Sequence, residues 1–417
     1  MFFGDKMLLI NRFIWLFVLV LILLFGIYFS IVLRGVQFKF RSMFKSVFHS
    51  DSFSFGILMT SLAGRIGVGS IAGVCLSIYV GGAGSIFWMW VSTFFCCVIT
   101  YCEVVLGIRY KCGSYGGPAY YIRDGIGNKF LGGIYSILII VSYIGCFLSI
   151  QSNTITKSIV SLFPFSPYVI GLCISVVTFF CIYGGFKSIA GVCNKIVPIM
   201  CLIYVGSSVI VLISNYDMIG YVFLNIFKDA FSFRSFFGGF IPMVIIGIQR
   251  GIFSNESGIG TSSIVASSGS DFRKQGYIQM FGVYLTTLVI CTATAIIILF
   301  SDYSNFNLSN INGIELASHA FNYHFGNIGI YILVISVILF SFSTILTGYY
   351  YGESSFSYFF DNLNIKFIYV LRGVTLVILF LGCILPSGLI WGFVDILVGI
   401  LVIINMYAIW KLRNKIE

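Results

Sequence analysis

Between Arg250 and Thr261 the chain sets an arginine, a carboxylate, hydroxyls, an amide and three glycines directly after the apolar run 240–248. Hydrocarbon penalises charge and unpaired backbone, so such a stretch at membrane depth must face protein or a water-filled cavity. Its glycines loosen the helix and expose carbonyls and amides that can hold an ion or a small zwitterion. Ala63-Gly64-Arg65-Ile66-Gly67-Val68-Gly69-Ser70-Ile71-Ala72-Gly73 repeats the pattern nearer the N-terminus. One glycine-interrupted segment in each half of a chain points to the binding site of a secondary transporter.

In the first stretch an unwound turn would free carbonyls for a cation and amides for a carboxylate, with about half a charge from each half-helix end. Gly67, Gly69 and Ser70 are therefore candidate substrate contacts; the competing reading is glycine packing between helices. In the second stretch Phe253 could cap a substrate and Ser254 could bond it. Phe253 and Ile259 would wall a pocket sized for glycine or alanine. Glu256 could pair with Arg65, Arg250 or a substrate ammonium, because an isolated intramembrane carboxylate costs several kcal/mol. A salt bridge that only holds the broken helices together is the alternative, and for the two arginines the structural role is favoured. Gln151 and Asn153 could hold a substrate carboxylate or ammonium, or bond one helix to another. Asp395, beside Trp391, suggests ion coupling or interfacial pairing.

The elements that position these residues follow from composition. Of 417 residues, 59% are hydrophobic and 9% charged, and the mean hydropathy is +1.03. Soluble domains carry about 25% charged residues, so this is an all-α polytopic membrane protein whose solvent is the lipid bilayer. The net charge of +10 lies in short loops between apolar runs, which suits retention on the cytoplasmic side and not nucleic-acid binding. The twelve cysteines show no metal-ligand spacing, and Cys96, Cys97, Cys102, Cys173, Cys181, Cys201 and Cys383, inside apolar runs, read as small apolar filler. Eleven apolar segments lie near 13–33, 54–80, 85–108, 131–153, 167–184, 194–214, 236–262, 276–300, 326–348, 366–385 and 389–410. The first has no cleavage site after it and reads as a retained helix.

With the N-terminus outside, sixteen Lys and Arg fall in cytoplasmic loops and five on the outer side, placing the C-terminus in the cytoplasm. Residues 1–53 form a peripheral helix and cytoplasmic loop, and 411–417 a cytoplasmic tail. The ten remaining segments divide into two sets of five, 54–214 and 236–410, joined by an outer segment, 215–235. Their openers cross in opposite directions and carry the same interruption, the arithmetic of an inverted repeat with a broken first helix in each half. Residues 112–121 suit an interfacial bend, and 223–233 a short amphipathic helix on the outer interface. His49, His319 and His324 lie in or beside loops, which argues against a haem-bearing redox subunit. The paired broken helices favour a carrier over a channel.

These motifs together resemble the alanine or glycine:cation symporter family, the bacterial sodium:alanine symporters, over nearly the whole chain. They are Gly64 through Val74, Phe87-Trp88-Met89-Trp90, Gly116-Gly117-Pro118, Gln151-Ser152-Asn153, Arg250 through Glu256, Phe342-Ser343-Thr344-Ile345-Leu346 and Tyr350-Tyr351-Gly352-Glu353. The resemblance implies the five-plus-five transporter fold with one extra N-terminal helix in a bacterial inner membrane. It implies sodium-coupled uptake of small neutral amino acids by alternating access, with sodium as the coupling ion and no other cofactor. It also implies a sodium site between the Ser343 and Thr344 hydroxyls and carbonyls near Ala63 and Ile66, oxygen ligands suited to a monovalent cation. Hydroxyls bonded back to their own helix are the alternative. Ser70 stands where the family usually has asparagine, and Val68 where it has threonine. A proton-coupled carrier of another small amino acid is the competing function.

Overall fold

In a bilayer the backbone must satisfy its own hydrogen bonds, and this chain does so with helices. The structure, a computed structural model, describes residues 2–232, 239–303, 313–360, 365–385 and 388–416. In chain order come α1 (Phe2–Val32), α2 (Phe40–Phe48), α3 (Ser52–Arg65), α4 (Val74–Gly81), α5 (Gly84–Arg109), α6 (Pro118–Tyr121), α7 (Lys129–Ile140), α8 (Leu148–Val160), α9 (Pro167–Tyr183) and α10 (Gly185–Ser214). Then follow α11 (Ile219–Ala230), α12 (Ile241–Asn255), α13 (Thr261–Ala266), α14 (Phe272–Tyr284), α15 (Thr292–Leu299), α16 (Gly313–Phe325), α17 (Asn327–Ser357), α18 (Ile365–Ile384) and α19 (Gly388–Lys411). π-helical turns link α7 to α8 and α14 to α15, making each pair one continuous span.

Among the described residues eight spans are long and apolar enough to cross a membrane, and α3 with α4 makes a ninth, bent by 53°. The other two expected segments are the 17-residue α9 and the broken pair α12–α13. α5 lies at the centre, packed on α12, α14 and α13, while α17 packs on α8, α10 and α3. α1 sits at the edge against α19 and α5, with Phe13, Phe17 and Ile31 exposed.

Several boundaries differ from the sequence reading. The sixth segment begins nine residues early, at Gly185, so Lys187 and Lys195 ride on α10 and not in a loop. Residues 112–121 divide: Cys112 to Ser114 form an exposed turn closed by a Cys112–Tyr115 bridge, whereas Pro118 to Tyr121 are buried, and the Tyr120 hydroxyl donates to Ser354 O at 3.1 Å. The amphipathic helix is α11, with Val222, Ile226 and Ala230 buried and Tyr221, Leu224 and Phe227 exposed. Phe233, Arg234 and the start of the 236–262 segment lie outside the described residues.

The two breaks differ in form. α3 ends at Arg65, Ile66 leaves the helical region (φ −88°, ψ 69°), and Gly69–Gly73 resumes as a π-helical turn. α12 ends on Glu256, a non-glycine residue in the left-handed region (φ +54°), followed by Gly258 (φ +85°) and Gly260 (φ +94°). A side chain at such a φ costs roughly 1–2 kcal/mol, so something must hold Glu256 there.

Candidate functional site

At the first break, the Thr344 hydroxyl lies 2.9 Å and the Ser343 hydroxyl 3.4 Å from the Ala63 carbonyl, joining α17 to the end of α3. Both hydroxyls have a second acceptor, Phe340 O, at 2.9 Å and 3.0 Å. Each can therefore bond back to its own helix and turn a lone pair towards Ala63. A methyl on Gly67 would sit 2.6 Å from Thr344 Oγ1 and 3.2 Å from Gln151 Nε2, so Gly67, Thr344 and Gln151 converge on one point. The Gln151 side chain is buried there and its Oε1 has no partner among the described residues. The α3 C-terminus turns its negative pole, about half a charge, to the same place.

The second break is stitched to the first. Ser254 Oγ lies 2.8 Å from Ser70 Oγ and 3.0 Å from Cys291 Sγ, and Ser70 Oγ donates to Arg65 O at 3.2 Å. Gly69 permits this approach, because a methyl there would lie 3.1 Å from the Phe253 ring. Asn255 donates to Thr287 Oγ1 and, through Oδ1, accepts the Ser257 amide. Glu256 accepts from Tyr143 on one oxygen and from Tyr351 and Thr261 on the other, each at 2.9 Å. Three hydroxyl donors hold the carboxylate, and with it the left-handed turn. Ser70, Tyr143, Thr287 and Cys291 all belong to π-helical turns, 69–73, 141–147 and 285–291. Such turns, rare elsewhere, surround 253–256 on three sides.

The arginines have other work. Arg65 donates to Ser262 Oγ at 2.7 Å and to the Gln279 carbonyl at 3.0 Å, tying α3 to α13 and α14. Arg250 pairs with Asp395 at 3.1 Å, both buried. Neither forms an ion pair with Glu256, so the expected salt bridge between the broken helices is replaced by hydroxyls and by Arg65 on neutral oxygens. Asp395 is buried and paired within the protein. Asn153 bonds α8 to α18 through the Gly382 and Leu385 carbonyls. The Ile259 carbonyl accepts from Tyr135 on α7, and its side chain is buried in the same apolar core as Phe253. Sequence reasoning missed Tyr143 and Thr287, and it quoted Tyr351 within a motif without giving it a role, since tyrosine and threonine are common in this chain and nothing in spacing marks them.

Phe253 stacks on Phe147 (centroids 5.4 Å apart) and lies 6.0 Å from Trp391. Beyond Trp391 a cavity of about 280 Å³ opens, lined by Ala72, Asn153, Lys157, Glu315, Ser318 and Leu333 among others. The opposite end is closed. Lys111 donates to the Ser267 and Gly269 carbonyls, Tyr115 to Glu353, and Ser268 lies 2.9 Å from the Tyr350 hydroxyl. Burial, with Glu353 alongside, pushes the Tyr115 hydroxyl up to about 12. There too Asp51 caps α3 through the Ser54 amide and pairs with Lys274 of α14 at 2.9 Å. The Lys274 and Ser54 bonds hold its carboxyl well below the usual carboxylate range.

A model of the sodium:alanine symporter family matches residues 3–417. Similar proteins include the probable sodium/glutamine symporter GlnT of Bacillus subtilis (strain 168), 34% identical over 97% of this chain and 87% of that one. The sodium/alanine symporter AgcS of Methanococcus maripaludis is 32% identical over 98% of this chain and 94% of its own. The amino-acid carrier protein AlsT of Bacillus subtilis is 33% identical over 99% and 90%. In structure the chain is similar to a mutant manganese transporter of Eremococcus coleocola, with a TM-score of 0.57 over 84% of this chain and 76% of that one. At 12% identity that likeness is one of fold alone.

Proposed function

The chain belongs to the sodium:alanine symporter family, and from that premise we propose that it carries alanine or glycine into the cell together with sodium, by alternating access. It is a multi-pass membrane transporter and not an enzyme. Sodium would lie between Thr344 Oγ1, Ser343 Oγ and the Ala63 and Ile66 carbonyls, at the negative pole of α3. On binding, each hydroxyl would hand its hydrogen to Phe340 O. The amino acid would sit against Gly67, Gly69 and Ser70, its carboxylate near the freed amides of the turn and the Gln151 amide. Phe253 would close over it, and Ser254 would reach it through the Ser70 contact. Glu256 would hold the second break and not touch substrate.

The observation that carries this reading is the meeting of Thr344, Ala63, Gly67 and the unpartnered Gln151 oxygen at the first break. Residues 54–214 and 236–410 would be the two inverted repeats, rocking about these breaks. The N-terminus would be outside, the C-terminus cytoplasmic, and the cavity beside Trp391 the outer entrance in a bacterial plasma membrane. Uptake into proteoliposomes tests the reading. An inward sodium gradient should drive alanine or glycine uptake with counterflow, and small neutral amino acids should compete best. Uptake driven only by protons, or a preference for glutamine, arginine, glutamate or tryptophan, would overturn it.

A further inference from the structure

Among the described residues, seven charged side chains are buried: Arg65, Arg250 and Arg372 against Glu103, Glu256, Glu353 and Asp395. Three cations against four carboxylates leave one negative charge over, and low-dielectric surroundings do not tolerate a surplus. Arg250 takes Asp395. Arg372, which donates to the Tyr349 hydroxyl at 3.3 Å, is the cation beside Glu353, whose Oε1 accepts from Tyr115 and whose Oε2 has no partner among the described residues. Arg65 is left to face both Glu256 and Glu103. Hydrogen bonds decide which of these two carries the surplus. Glu256 has three hydroxyl donors, enough for an ionised carboxylate. Glu103 has one side-chain donor, Asn405 Nδ2 to its Oε1 at 2.7 Å, and its Oε2 has no partner within hydrogen-bond distance among the described residues.

Glu103 sits on α5, fully buried, where α5 meets the second break. The Asn405 amide that bonds it also donates to Gly258 O at 2.8 Å, and Asn405 Oδ1 accepts from Tyr121. The Gly258 and Gly260 amides face the carboxyl from the turn. Arg65 faces it from α3, Tyr121 from α6, Tyr135 from α7, and Cys96 and Cys102 from its own helix. On α14, Tyr277 and Tyr284 face Tyr101 and Cys97 of α5 instead. Arg65 is the one cation in this set.

We propose that Glu103 is a proton-binding site on the turn of the second broken helix, with the proton on Oε2, and that this proton opposes sodium. Protonation leaves Arg65 less compensated. Arg65 follows directly on the Ala63 and Gly64 carbonyls, so its field then weakens cation binding at the first break. The link to sodium rests on the cation site proposed above; the proton site itself does not.

Three measurements on the purified full-length protein test it. First, acidification of wild type should raise the infrared C=O stretch of a buried carboxylic acid, and Glu103→Gln should lack that band. A missing band in wild type, or one unchanged in Glu103→Gln, overturns the proton site. Second, adding sodium to wild type in weak buffer, against a choline control, should release protons at acid pH. Third, the sodium concentration that half-saturates alanine binding should rise several-fold towards acid pH in wild type. In Glu103→Gln it should be raised and independent of pH. Sodium that saturates without proton release at any pH overturns the antagonism, and this needs no variant. If sodium changes nothing at any pH, the cation site at Ala63 and Thr344 is refuted instead, and the infrared band alone decides Glu103.

Discussion

Thr344 and Ser70 are the residues on which the proposed chemistry turns most directly. Removing the Thr344 hydroxyl takes away the ligand 2.9 Å from Ala63 O but no part of the substrate wall. Losing one such bond costs about 1 kcal/mol. Thr344→Ala should therefore raise the sodium concentration for half-maximal uptake several-fold and leave the ranking of amino acids alone. A sodium titration identical to wild type would remove Thr344 from the site. Ser70 bridges to Ser254 with a single short hydroxyl, where a longer amide would reach further and both donate and accept. Ser70→Asn should fold and shift the alanine-to-glycine-to-serine uptake ratios, or the sodium requirement, by a similar factor. Paired uptake assays at equal expression check this, and unchanged ratios would mean Ser70 lines nothing functional.

At the scale of elements, the breaks depend on glycines that a methyl would spoil. Gly67→Ala should abolish or strongly slow transport while the protein still folds, because its methyl would meet Thr344 Oγ1 at 2.6 Å. Gly206→Ala on α10, with open space around it, should be silent or slightly stabilising, by less than about 1 kcal/mol. Comparing the two for uptake and thermal unfolding separates a site effect from a general one. The broken helices were legible because charge and glycine inside an apolar run contradict a plain span. The same logic applied to Glu103 in the 85–108 segment would have flagged it. What holds the breaks was not legible. Hydroxyls of Tyr143, Tyr351 and Thr261 meet Glu256 from separate elements, and no periodicity encodes such a meeting. Nor did hydropathy show α10 starting at Gly185, since Lys187, Lys195 and Asn194 dilute its first turns.

At the scale of the molecule, one end is open and the other latched. Arg250 and Asp395 join the second broken helix to α19 out of water, so removing one partner strands the other. Arg250→Ala or Asp395→Asn should cost about 3–5 kcal/mol, read as a lower unfolding temperature in detergent. A double Arg250→Met, Asp395→Leu variant should recover most of it. The Asp51–Lys274 pair at the closed end is exposed and weaker. Because its partners depress the Asp51 carboxyl, its stabilisation is present above the ordinary carboxylate range and is lost only as pH falls below it. Asp51→Asn should then cost less than about 1 kcal/mol near neutral pH, with the difference from wild type vanishing in strong acid. Thermal unfolding of both proteins across the acid range measures this.

The π-helical turns have one more consequence. The turn at 141–147 stores a surplus residue within one span pinned on both sides, α7 by Tyr135 at the second break and α8 by Asn153 on α18. A surplus residue is slack: it can migrate along its helix, rotating the side chains it passes by about 100° without lengthening the span or parting its ends. Tyr143 and Phe147 both lie within that slack. The grip on Glu256 and the ring stacked on Phe253 can thus let go together, in one ripple, while the scaffold around them stands still.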